Sequence, residues 1–196
     1  MTDAPLRIIP AEALRPVAWV NGGGITREIA ADSDAAGVLW RLSLADVDRE
    51  GPFSEFPAMS RTLTVVAGDG MALEAPEETL QAKPLAPVTF SGTLPIMGRL
   101  PNGPVRNFNL IYRESTIEAR VALQRGPLER AYPARAGIQR MIHVTTGTAR
   151  LDGKAVPAGA TALFRSGRLE LEAGAALLAV QLALRQNAGH QHSGDR

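Results

Sequence analysis

The chain contains no cysteine, which excludes disulfides and thiolate metal sites and fits a reducing compartment. Histidine is nearly as scarce. There are three in 196 residues: His190 and His192 lie in a polar C-terminal stretch, and His143 stands alone with no second histidine or glutamate at ligand spacing. Protein metal sites draw on clustered histidines and carboxylates, so no metal and no cofactor is expected, and His143 reads as a structural residue. An excess of either charge is also missing, with 21 Lys+Arg against 20 Asp+Glu and a net charge of +1. Without a long basic run, neither nucleic acid nor a membrane surface is expected as a partner. No apolar run approaches the roughly 20 residues that span a bilayer. The first ten residues lack a positive segment followed by an apolar core. A soluble, cytoplasmic protein is expected.

Several chemistries are missing with these residues. The triple glycine Gly22-Gly23-Gly24 in "WVNGGGITREIA" (19–30) is followed by a strand-like alternation, not by the Lys and Ser/Thr that open the helix of a phosphate loop. It reads instead as a tight turn that leaves room for a close neighbour, either another backbone or a ligand. No cysteine and no G-x-S-x-G is present for nucleophilic catalysis. Asp46, Asp48, Glu50 and Glu55 sit in an exposed-looking loop context and read as solvated charges, not as an acid–base pair.

What the chain does have is short strands. Glycine (19) and proline (14) are spread throughout, helix-period stretches are scarce, and period-two stretches recur. "WRLSLADV" (40–47) sets Trp40, Leu42 and Leu44 against Arg41 and Ser43. "RTLTVVAG" (61–68) sets Arg61, Leu63 and Val65 against Thr62, Thr64 and Val66. "NFNLIYR" (107–113) sets Asn107, Asn109, Ile111 and Arg113 against Phe108, Leu110 and Tyr112. Such punctuation predicts an all-β sandwich or barrel. Residues 61–68 also align without gaps on "RMIHVTTG" (140–147), an offset of 79. Each copy runs on into another short strand, a jelly-roll rhythm met twice. A match this short leaves chance and duplication both open. "PNGPVRNF" (101–108) is the expected joint between halves.

Among polar residues Arg61 stands out, because it shares a strand face with Leu63 and Val65. A guanidinium on an apolar face calls for something anionic or hydrogen-bonding, and its planar fork suits a carboxylate. The alternative is a strand-end arginine reaching solvent or a neighbouring acid. Arg41 with Ser43, Thr26 with Glu28, and Asn107, Asn109 and Arg113 form further polar faces. Each is read first as solvated and second as a pocket wall.

Three stretches resemble the characteristic blocks of the HutD/Ves family: "WVNGGGITREIA", "WRLSLADVDREGPFSEFPAMSRTLTVVAGDGMAL" and "VRNFNLIYR". The family comprises small bacterial proteins, some associated with histidine utilisation and others described as stress-related. The likeness covers about residues 5–125, and the second half matches in its general β pattern. The Ala58-Met59-Ser60 run departs from the glycine and acidic residue expected there. The resemblance implies a bicupin, two jelly-roll (RmlC-like cupin) barrels, here divided as 1–105 and 106–185 with a disordered tail at 186–196. It also implies no metal-binding cupin motif and no catalytic residues. The implied role is binding of a small carboxylate, such as a histidine-degradation intermediate, which would modulate that pathway. The ligand-binding set expected is Arg61 first, with Asn21, Gly23, Thr26, Glu28, Ser43, Asn109 and Arg113; Arg27, Phe53, Ser54 and Asn107 are further family-like positions. A metal-independent isomerase or lyase using Glu28 as base, a structural or interaction module, and a homodimer are left open.

Overall fold

A computed structural model describes residues 6–20 and 22–185; the tail expected at 186–196 lies outside the described residues. Among the described residues there are nineteen strands and one short 3-10 turn at Ala11–Ala13. Four antiparallel sheets result. The first runs β2 (Pro16–Ala18), β3 (Gly24–Asp34), β4 (Gly37–Val47), β11 (Val105–Tyr112), β6 (Ser60–Ala67), β9 (Val88–Ser91). The second runs β5 (Gly51–Pro52), β10 (Met97–Arg99), β7 (Met71–Glu74), β8 (Thr79–Ala82). The third runs β1 (Arg7–Ile9), β17 (Thr161–Phe164), β14 (Ile138–Thr146), β19 (Ala176–Leu184), β12 (Ile117–Arg125). The fourth runs β13 (Leu128–Tyr132), β18 (Gly167–Leu171), β15 (Thr148–Leu151), β16 (Lys154–Pro157).

The first and second sheets close around Leu63, Val65, Met71, Leu73 and Phe90. The third and fourth close around Ile142, Val144, Leu151, Phe164 and Leu169. A third core joins the pairs: Trp40, Leu42, Leu44, Phe108 and Leu110 from the first sheet meet Met141, Leu178, Val180 and Leu182 from the third. Each such aliphatic side chain, fully buried, is worth about 1.5–3 kcal/mol. The fold is therefore a bicupin of two jelly-roll barrels joined by a wall of two packed sheets.

Strand order repeats as well. The run β4-β11-β6-β9 is matched by β12-β19-β14-β17, and β5-β10-β7-β8 by β13-β18-β15-β16. The offset of 79 thus connects strands in equivalent places, β6 and β14. Three strands fall outside the repeat: β2 and β3 extend the first sheet beyond β4, and β1 pairs Ile9 with Thr161 and so extends the second barrel.

Two expectations need correction. The division at 105/106 falls at the head of β11, which pairs with β4 and β6 in the first sheet. The reason is its alternation: Phe108 and Leu110 feed the shared wall while Asn107 and Asn109 face the first barrel's interior. The chain crosses between barrels after Tyr112, before Ile117. Nor are the polar faces of β4 and β11 solvated, since Ser43 is 3% exposed and Asn109 2%. Both faces of the first sheet are covered, one by the second barrel and one by the sheet that closes the first.

Candidate functional site

The first barrel holds a cavity of about 480 Å³, lined from β4 and β11 by Arg41, Ser43, Asn109 and Ile111, from β6 by Arg61, from β3 by Thr26, and from the chain before β6 by Phe53, Ser54 and Phe56. Register explains the grouping. Arg41 lies opposite Ile111 on β11, and Ile111 lies opposite Arg61 on β6. The two arginines thus stand two strands apart, about 9–10 Å between their backbones, with one aliphatic residue between them.

Arg61 is 8% exposed and pairs with no carboxylate among the described residues. Its Nε and Nη2 donate to Asn109 Oδ1 at 3.1 and 2.8 Å. With two of the five guanidinium N–H groups on Asn109, three remain. The Phe53 ring lies 4.5 Å from its Cζ and the Phe90 ring 5.7 Å, contacts that hold the cation without neutralising it. Burial, together with the nearby charge of Arg41, pushes the Arg61 guanidinium down to about 9. Arg41 packs over Phe56 at 5.3 Å, and its buried Nε has no partner. On the cavity's other flank Trp19 donates through Nε1 to Thr26 Oγ1 at 2.8 Å and meets Phe53 edge-on at 6.5 Å.

Of the residues expected at a binding site, the cavity brings together Arg61, Thr26, Ser43 and Asn109. Three others lie elsewhere. Glu28 pairs with Ser43 in register but sits beside a β-bulge and is exposed. Arg113 turns its fork to the Asp34 carboxylate at 2.8 and 3.0 Å and to the Val38 carbonyl at 3.0 Å. It borders a neighbouring cavity of about 340 Å³ that shares Arg41, Phe56 and Ile111 with the first. Gly22 makes a turn at positive φ, the Gly23 carbonyl accepts from the Asp48 and Arg49 amides, and a Cβ on Gly24 would strike the Asp46 carbonyl oxygen, so the triple glycine serves a turn and close backbone packing. Asn21 lies outside the described residues.

Arg41, Trp19 and Phe56 were not among the expected site residues. The signal for Arg41 was its alternation with Ser43 opposite Trp40, read as a solvated face. Asp46 is likewise no free surface charge. Its burial would raise the carboxyl, but hydrogen bonds from Arg106 and Arg27 outweigh this and hold it below its ordinary value. His143 stacks on Phe108 at 5.1 Å within the shared wall and bonds Thr161 Oγ1 through Nδ1 at 2.9 Å. Among the described residues no group of three His, Cys, Asp or Glu could hold a metal ion. No helix among them is long and apolar enough to cross a membrane.

The family model for HutD matches residues 11–189. The chain belongs to the HutD family. A curated relative, an uncharacterised 21.2 kDa protein in the hutC 3' region of Pseudomonas putida, is 39% identical over 121 residues. That match spans 59% of this chain and 63% of the relative's length. The structure of HutD from Pseudomonas fluorescens SBW25, described for a formate condition, superposes with a TM-score of 0.81 at 28% identity, covering 92% of this chain and all of that one. A conserved protein of unknown function from Pseudomonas aeruginosa PAO1 has the same TM-score at 29% identity, with the same coverage. The HutD fold thus extends across both barrels.

Proposed function

We propose that this HutD protein is a receptor for a small carboxylate, held in the first barrel, and that it modulates histidine utilisation by binding without turnover. The observation that carries this reading is the buried Arg61, clamped by Asn109 between two rings with no acid to answer it. A buried cation left unpaired costs several kcal/mol, and an entering carboxylate offsets that cost while it gains charge-assisted hydrogen bonds. Arg41 supplies a second positive group across Ile111, and the aromatic flank favours a planar or apolar remainder. Among the described residues the cavity lining contains no carboxylate, histidine or lysine, which favours capture over acid–base catalysis. The connection to histidine utilisation rests on the relatives, one of them in the hutC 3' region.

The test is a thermal-shift and calorimetric series with acetate, formylglutamate and urocanate. Wild-type protein gains stability with at least one of them, and Arg61→Met diminishes that gain while its circular dichroism stays native. The same gain in Arg61→Met would refute the reading. Because the carboxylate needs the charged guanidinium, affinity stays level through neutral pH and declines above about pH 9.

A further inference from the structure

The second barrel repeats the apparatus of the first. Across four neighbouring strands the first sheet sets Arg41, Ile111, Arg61 and Phe90 side by side. The third sheet sets Arg120, Gln181, Arg140 and Phe164 in the same places. Arg120 and Arg140 follow Arg41 and Arg61 by 79 residues, and Tyr132 follows Phe53 by the same offset. The Tyr132 ring lies 5.4 Å from Arg140 Cζ, as Phe53 lies against Arg61.

These residues border a cavity of about 320 Å³, to which Arg130 adds a third guanidinium. Among the described residues no carboxylate lines it, and none of the three arginines makes an ion pair. Arg140 is 5% exposed; its Nη1 donates to the Arg165 carbonyl, and its Nε has no partner. On the same cavity the Gln124 Oε1 is buried without a donor. An unanswered donor and an unanswered acceptor therefore belong to two residues that line one space with three guanidinium groups. Gln124 has no counterpart in the lining of the first cavity, where Ala45 holds the corresponding place and Asn109 stands where this barrel has Ala179.

We propose that this cavity is a second anion site, taking a small carboxylate that also carries a hydroxyl or N–H donor. The carboxylate meets Arg140 with Arg120 and Arg130, and the donor meets Gln124 Oε1. The two barrels then choose different acids: the first one with an apolar remainder, the second one with a polar group beside the carboxylate. This site stands or falls independently of the Arg61 reading, because it shares no residue with that cavity.

L-Lactate and propionate, which differ by one hydroxyl, are the probes. Each is titrated into wild-type protein and into Arg61→Met while the arginine Nε–H signals are followed by NMR. Lactate is expected to shift the Arg140 signal saturably in both proteins and to bind several-fold tighter than propionate. Arg120→Gln is expected to weaken lactate at least tenfold; Arg120 is exposed, so this change leaves the core untouched. No saturable shift of the Arg140 signal, equal affinity for the two acids, or lactate binding indifferent to Arg120→Gln each overturns the proposal. Failure of the Arg61 reading would instead show as wild-type and Arg61→Met proteins giving identical thermal shifts with acetate, formylglutamate and urocanate.

Discussion

The two barrels place an arginine at the same point of the same strand and treat it differently. In the first barrel Arg61 is held by a side-chain amide and flanked by two phenylalanines, with three N–H groups left over. In the second, Arg140 leans on a backbone carbonyl and a tyrosine, with two further arginines and two glutamines nearby. The scaffold is common to both; what differs is the residue that fixes the guanidinium and the polarity around it. A clamp made by a side chain can be altered by one substitution, whereas a clamp made by the main chain cannot.

The shared wall couples the folding of the two barrels, and His143 within it tests that coupling most severely. Burial, with the charge of Arg106, pushes its pKa down to about 4. The unfolded chain takes up the proton near pH 6.5 while the folded protein refuses it until about 4, so the stability present above pH 6.5 falls as pH drops through that window, by on the order of 3 kcal/mol. Urea unfolding at pH 7 and pH 4.5 should show this loss, and His143→Phe should remove most of it. Tryptophan fluorescence reports only on the first barrel and the wall, whereas circular dichroism reports on all four sheets. Coincident curves are expected, and separate ones would break the pairing.

Smaller changes move the first barrel toward the second. Asn109→Ala installs the residue found at Ala179 and frees Arg61 from its clamp. Carboxylate affinity should fall about tenfold, read by calorimetry. Phe53→Tyr installs the counterpart of Tyr132 and keeps an aromatic face on the cation. Affinity should change by less than about threefold, and a larger loss would mean that the ring's edge, not its face, meets the ligand.

Much of this architecture could be read from alternation. The strand faces of 40–47, 61–68 and 107–113 are those observed, and the arginine with an apolar strand face is one of the two that line the cavity. What alternation cannot say is where the opposite face looks. Arg41, Ser43 and Asn109 have the same pattern whether they meet water or a closed cavity, and only the second covering layer decides. The same limit moved the boundary, since "PNGPVRNF" is a turn that returns the chain to the first sheet instead of leaving it. Glu28 and Arg113 continue polar faces in sequence, but a bulge and a local acid take them out of the cavity. The pairing of β1 with β17 has no local signal, because its partner lies near the other end of the described chain.

That pairing has a consequence for synthesis. Arg7–Ile9 leaves the ribosome long before its neighbour, Thr161–Phe164, has been translated. Domains generally fold as they emerge, so the first barrel can close while this leading strand still waits, with its amides and carbonyls open to any other edge. Translation speed and the crowd of nascent chains around the polysome therefore act on β1 in a way they do not act on the arginine-bearing strands.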